Sequence, residues 1–268
     1  NDFKNKTTIT KMKGIDERLI STICYPFDYT KYFNGENSRV SNNLIFWNKK
    51  SKKALFILLH WMGGILLYKR LINKLKDDYT IVIYQLPNMI LSDNIGTTIK
   101  YFDESQKNIN NLANSLKNKG YLDFSILGSS LSCCLALMVA NSDDKFKKIV
   151  LNLVGSDLAE CVWCSNSPIV RNIKNKIAKK GISLNNLKLY WKNISPINNI
   201  KNIKNRELLI FLSKNDKIIK YDYGQKFLDA IKKEKIKHKL EIDHIFGHYL
   251  SGFKQLQFQN RISSFLLN

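Results

Sequence analysis

The stretch DFSILGSSLSCCLALMV, residues 123–139, sets three serines between two apolar runs. The first run is short and ends at Gly128. The second resumes at Leu131 and is apolar nearly all round as far as Ser142, the pattern of a buried helix. A polar trio with one leucine for spacing leaves room only for a sharp turn. Residues 123–127 read as a strand, so Ser129, Ser130 and Ser132 fall at a strand's carboxyl end. Open parallel sheets gather their functional groups at that edge.

The rest of the chain supplies such a sheet. NLIFW (43–47), ALFILLH (54–60), TIVIYQL (80–86), KKIVLNLVG (147–155), RELLIFLS (206–213) and HKLEID (238–243) read as strands. Amphipathic segments alternate with them. Leu67, Leu71, Ile72 and Leu75 recur at helical spacing, and DESQKNINNLANSLKNKGY reads as a helix capped by Asp103 and stopped at Gly120. Residues 223–235 and a final segment from His248 to Leu267 complete the helical set. Strand–helix alternation with continuously apolar strands predicts an α/β fold, a mostly parallel sheet covered by helices on both faces. Residues 156–204 break the rhythm and read as a helical cap inserted into the one domain formed by residues 41–268. Residues 1–40 read as an arm or leading strands.

With 268 residues, 44% of them hydrophobic, the chain can bury a substantial core. Its formal charge of +21 raises nucleic acid as a partner. The lysines and arginines are spread over nearly every segment, without interleaved stacking aromatics or a groove-entering helix, so no nucleic-acid partner is expected. Weak association with an anionic membrane surface needs charge but little pattern and stays open. NDFKNKTTITKMK shows no apolar leader, and the longest apolar stretch, residues 54–68, is too short to span a bilayer. A cytoplasmic location is the expectation. The oligomeric state has no sequence signal. Of five cysteines, Cys133 and Cys134 read as packing residues in the buried helix. Cys161 and Cys164 have C-x-x-C spacing but lack the second ligand pair a structural zinc needs. No metal and no cofactor is expected.

Gly128-Ser129-Ser130-Leu131-Ser132 reads as G-x-S-x-S, and it resembles the nucleophile turn of the α/β-hydrolase superfamily, G-x-S-x-G. Ser132 stands where that pattern has its last glycine. The resemblance implies an acid and then a histidine further along the chain. Asp216, just past strand 206–213, and His248, after Gly247 beyond strand 238–243, match those places. Asp157, at the end of strand 147–155, is the reserve acid. His244 competes with His248, and His238 falls at the wrong end of its strand.

LLHWMGG (58–64) resembles the oxyanion loop of lipases and esterases. That resemblance gives the backbone N–H of Trp61 or Met62 as one oxyanion donor and that of Leu131 as the other, with His60 as a structural residue. The implied activity is hydrolysis of a carboxylic ester or thioester through Ser130, His248, Asp216 and an acyl-enzyme. Trp163, Ile169, Val170, Ile173, Leu187 and Trp191 could present an apolar face to the acyl chain or form the cap's own core; Trp163 and Trp191 are the substrate-binding candidates. A lipid-like acyl ester is the expected partner. A catalytically silent binding protein and an acyltransferase with the same triad are the alternatives.

Overall fold

The computed structural model describes residues 37–40, 43–46, 48, 50–60, 64–257 and 260–268. Its strands are β1 (Asn37–Val40), β2 (Asn43–Phe46), β3 (Lys53–Leu59), β4 (Thr80–Gln85), β5 (Asp123–Ser129), β6 (Phe146–Asn152), β7 (Glu207–Ser213) and β8 (His238–Asp243). They form one sheet in the order β1-β2-β4-β3-β5-β6-β7-β8. The β1–β2 and β2–β4 pairings are antiparallel and the others parallel. The strand order reverses at β3, so its carboxyl end and that of β5 frame the crevice where open sheets bind ligands.

Alternate side chains of each central strand enter separate cores. Phe56 and Leu58 of β3 pack with Ile126 and Leu151 on one face. Leu55, Ile57 and Leu59 pack with Leu127 and Val150 on the other. This two-sided burial is why the strands read as unbroken apolar runs. The first face is covered by α2 (Ile95–Asn118), α3 (Ser132–Ser142) and α7 (Tyr221–Lys233). The second is covered by α1 (Lys69–Leu75), α8 (His248–Gln257) and α9 (Arg261–Leu267).

Two boundaries depart from the sequence reading. Helix α2 begins at Ile95 rather than at Asp103, because the Asn94 side chain accepts the Thr97 N–H at 3.1 Å. It stops near Gly120, whose φ of 85° suits a residue without a Cβ. The C-terminal segment, read as one helix, contains two.

Between β6 and β7 lie α4 (Leu158–Cys164), α5 (Pro168–Lys179), α6 (Leu184–Tyr190) and two short 3-10 turns, Lys192–Ile194 and Pro196–Asn198. Ile177, Leu187 and Trp191 of this insertion are fully buried and join the main core. No helix among the described residues is long and apolar enough to cross a membrane.

Candidate active site

The turn from β5 into α3 is tight because of Gly128. A Cβ there would stand 2.6 Å from the Ser132 carbonyl oxygen and 2.8 Å from the Cys133 nitrogen, both backbone atoms. The next feature is strain. Ser130 has φ 56°, a left-handed conformation that costs a non-glycine residue about 1–3 kcal/mol. The surroundings fix it: the Ser130 N–H donates to Asn152 O at 2.7 Å, and its carbonyl accepts the Cys133 N–H at 3.0 Å. Ser132, fully buried, accepts the Ser129 N–H on its hydroxyl at 2.7 Å.

Three side chains from distant segments meet at this turn. The His248 Nε2 lies 3.0 Å from Ser130 Oγ, and His248 Nδ1 lies 2.6 Å from Asp216 Oδ2. The other Asp216 oxygen accepts the N–H groups of Ile218 and Ile219 at 2.8 and 2.9 Å, which aims the carboxylate at the ring. The loop that delivers His248 is anchored too. Asp243 Oδ1 accepts the N–H groups of Ile245 and Phe246, and Asn215 Nδ2 donates to the carbonyls of His244 and Ile245 at 3.0 Å. Burial disfavours the Asp243 charge, but those two N–H groups and Lys254 outweigh it and hold its pKa below the usual carboxylate range.

The other candidates stay out of this chain of hydrogen bonds, although Asp157 and His60 line the same cavity as Ser130 and His248. Asp157 is buried, but its Oδ1 caps α4 by accepting the Glu160 N–H at 3.0 Å, and burial raises its pKa. His244 is solvent-exposed and His238 opens β8, where its ring contacts Ile236 O. His60 lines the same cavity as Ser130. Burial lowers its pKa to about 4, aided by the proximity of His248, so its ring is neutral at neutral pH.

Trp61 and Met62 lie outside the described residues. Leu131 is described: it caps α3, and its N–H finds no acceptor among the described residues. The first N–H groups of a helix have no intrahelical partner and point outward, so this one is available to an anion.

A cavity of about 650 Å³ opens over Ser130 and His248. The body of the fold contributes Leu67, Tyr68, Leu153 and Leu256, and the insertion contributes Leu158, Val162, Ile169 and Val170. Trp163 and Trp191 do not line it, which corrects the sequence reading. Trp191 is sealed in the core, its Nε1 donating to Ile95 O at 3.4 Å, and Trp163 lies under the Lys174 ammonium. An aromatic ring in an amphipathic insertion serves its own packing as readily as a ligand. Cys133, Cys134 and Cys161 are free thiols that line the cavity, and burial pushes their pKa values up. Among the described residues no cluster could hold a metal ion.

Sequence reasoning missed the residues that support the turn. Ser129 Oγ accepts from Asn152 Nδ2 at 3.1 Å. Asn152 also donates to Gly252 O at 3.3 Å, tying β6 to α8. Leu153 has φ 62° while buried, a conformation no sequence signal announces for leucine. An asparagine closing an apolar strand was the available clue to Asn152.

Solved structures share this architecture. An esterase from Pyrococcus furiosus is 13% identical with a TM-score of 0.63, over 91% of this chain and 96% of that one. The 2-hydroxy-6-oxo-6-phenylhexa-2,4-dienoate hydrolase of a Rhodococcus species is 16% identical with a TM-score of 0.53, over 84% and 92%. Acylaminoacyl peptidase from Pyrococcus horikoshii is 14% identical with a TM-score of 0.59; 88% of this chain matches, spanning 41% of the peptidase. At such identities the likeness shows the fold, that of the α/β hydrolases. No curated protein matches the chain. Residues 100–268, which include Ser130, Asp216 and His248, match a family description, and the chain belongs to the prolyl oligopeptidase family within the α/β-hydrolase superfamily.

Proposed function

We propose that the protein hydrolyses carboxylic esters or thioesters of hydrophobic acyl groups, with Ser130 as nucleophile, His248 as base and Asp216 as its orienting acid. The observation that carries this reading is the 3.0 Å approach of His248 Nε2 to Ser130 Oγ at the wall of an apolar cavity.

The geometry supports these roles. A serine hydroxyl is a weak nucleophile until a base takes its proton. Asp216 accepts from His248 Nδ1–H, which leaves Nε2 as the acceptor facing Ser130 and stabilises the imidazolium once it forms. Attack on the acyl carbonyl forms the Ser130 Oγ–carbon bond and moves an electron pair onto the carbonyl oxygen. The Leu131 N–H, with a second from Trp61 or Met62, would hold that oxyanion; losing one such donor costs about 10²–10³ in rate. The imidazolium then protonates the leaving alcohol or thiol. Water, deprotonated by the same histidine, releases the acid.

Ester is favoured over peptide by what the cavity offers. A peptide brings backbone N–H and C=O groups that must be paired when buried, whereas this lining is mostly aliphatic and sulfur-bearing. Its volume lies in the range of ligand pockets, about 300–1,000 Å³, and an acetyl group would leave most of it unfilled.

Hydrolysis of p-nitrophenyl esters from acetate to dodecanoate, alongside aminoacyl and dipeptidyl p-nitroanilides, tests the proposal. The kcat/KM should peak at a medium-length acyl chain, about ten-fold or more above acetate. Anilides cleaved faster than every ester would overturn the ester reading in favour of a peptidase.

A further inference from the structure

The mouth of the cavity is greasy in a way that packing does not explain. Of ten large apolar side chains exposed among the described residues, Tyr249, Leu250 and Phe253 line it, and Leu66 and Ile245 lie in the segments that lead to its lining residues Leu67 and His248. Tyr249, Leu250 and Phe253 fall on one face of α8, 54%, 62% and 38% exposed, while also lining the cavity. Ile245, 72% exposed, lies in the loop that delivers His248. Leu66 precedes the cavity residue Leu67, and its carbonyl accepts a hydrogen bond from Gln257 of α8 at 3.1 Å. Tyr249 of α8 and Ser167, which precedes α5, line the same opening.

Charge decides what meets that face. The chain carries a formal +21, so two copies repel while an anionic surface attracts. Next in sequence to the lining residues Val170, Ile218 and Ile219, the cations Arg171, Lys217 and Lys220 are exposed. Three nearby acids are engaged, Asp243 with Lys254, Asp93 with Lys180 and Asp216 with His248, and the cavity residue Asp157 is buried.

We propose that this face docks on an anionic lipid bilayer, with Ile245, Leu250 and Phe253 entering the headgroup boundary and the surrounding cations holding the surface. An apolar patch rimmed by cations is the pattern of a protein that lies on a membrane. This goes beyond the hydrolase reading by fixing where the acyl substrate is taken from. Binding is measured without turnover, so failure of one idea is distinguishable from failure of the other.

Co-sedimentation with vesicles of phosphatidylcholine, with and without phosphatidylglycerol, tests it on the full chain. The protein should partition at least about ten-fold more strongly to the anionic vesicles and lose that preference in high salt. Ile245→Asp and, separately, Leu66→Asp should each weaken anionic binding several-fold. Leu122→Asp, exposed at the opposite end of β5, should not. Equal binding by all three variants would reduce the effect to net charge and overturn the proposal. So would absence of binding, or a dimer in sedimentation equilibrium that Ile245→Asp dissociates, which would assign the face to a second copy. A soluble short-chain ester reports separately whether each variant is still a hydrolase.

Discussion

The Ser132 hydroxyl lies 3.0 Å from the Leu58 carbonyl, and its oxygen accepts the Ser129 N–H at 2.7 Å. One side chain therefore ties the turn that carries Ser130 to the end of β3, which leads into the loop resembling an oxyanion loop. Ser132 also lies within 3.0 Å of Ser129 O. At a position where the superfamily pattern has glycine, this chain has a hydrogen-bonded clamp that fits without crowding.

Ser132→Ala removes only the hydroxyl and leaves the half-buried Ser129 N–H without that acceptor. We expect a loss of about 1–3 kcal/mol in urea unfolding and a fall in kcat with little change in KM. An unchanged kcat would show that the clamp does not position the nucleophile.

Gly128→Ala tests the close approach of strand and helix. Its Cβ meets backbone atoms on α3 that cannot swing aside. A destabilisation of about 2–4 kcal/mol is expected, read as a lowered urea midpoint with unchanged slope.

The two acids should separate cleanly. Asp216→Asn removes the partner of His248 Nδ1, and kcat should fall by about 10³–10⁴. Asp157→Asn should keep activity within about three-fold and lose at most roughly 1 kcal/mol, since Asn also caps helices well. The reverse pattern in ester kinetics would make Asp157 the working acid.

His60 gives a pH signature. Burial lowers its pKa to about 4 in the folded chain, below the ordinary 6.5. Above that ordinary value both states are neutral and the residue adds no slope. As pH falls towards 4 the unfolded chain binds a proton that the folded one refuses, so stability declines, by on the order of 2 kcal/mol. Urea unfolding of the native protein and His60→Gln, at neutral pH and near pH 4.5, should show a steeper acid loss in the native protein.

Local chemistry made most of the frame legible. The two-sided burial of β3 through β7 wrote itself as continuous apolar runs, and Gly128, Asp216 and Gly247-His248 marked strand ends. Less was legible where contacts between segments decide. The start of α2 rests on Asn94, an ordinary loop residue by sequence. The strained Leu153 and the Asn152–Ser129 bond depend on β6 lying beside β5. The cavity wall was legible in part: Ile169 and Val170 line it as read, whereas Trp191 turns inward to meet Ile95 and Val162, not singled out in the sequence, faces the opening.

The central claim is that Ser130 is activated by His248. Labelling with a fluorophosphonate probe, read by intact mass, tests it most directly. A single adduct on the native protein, absent from Ser130→Ala and from His248→Ala, is predicted. No adduct on the folded native protein, or one that persists in Ser130→Ala, would contradict it.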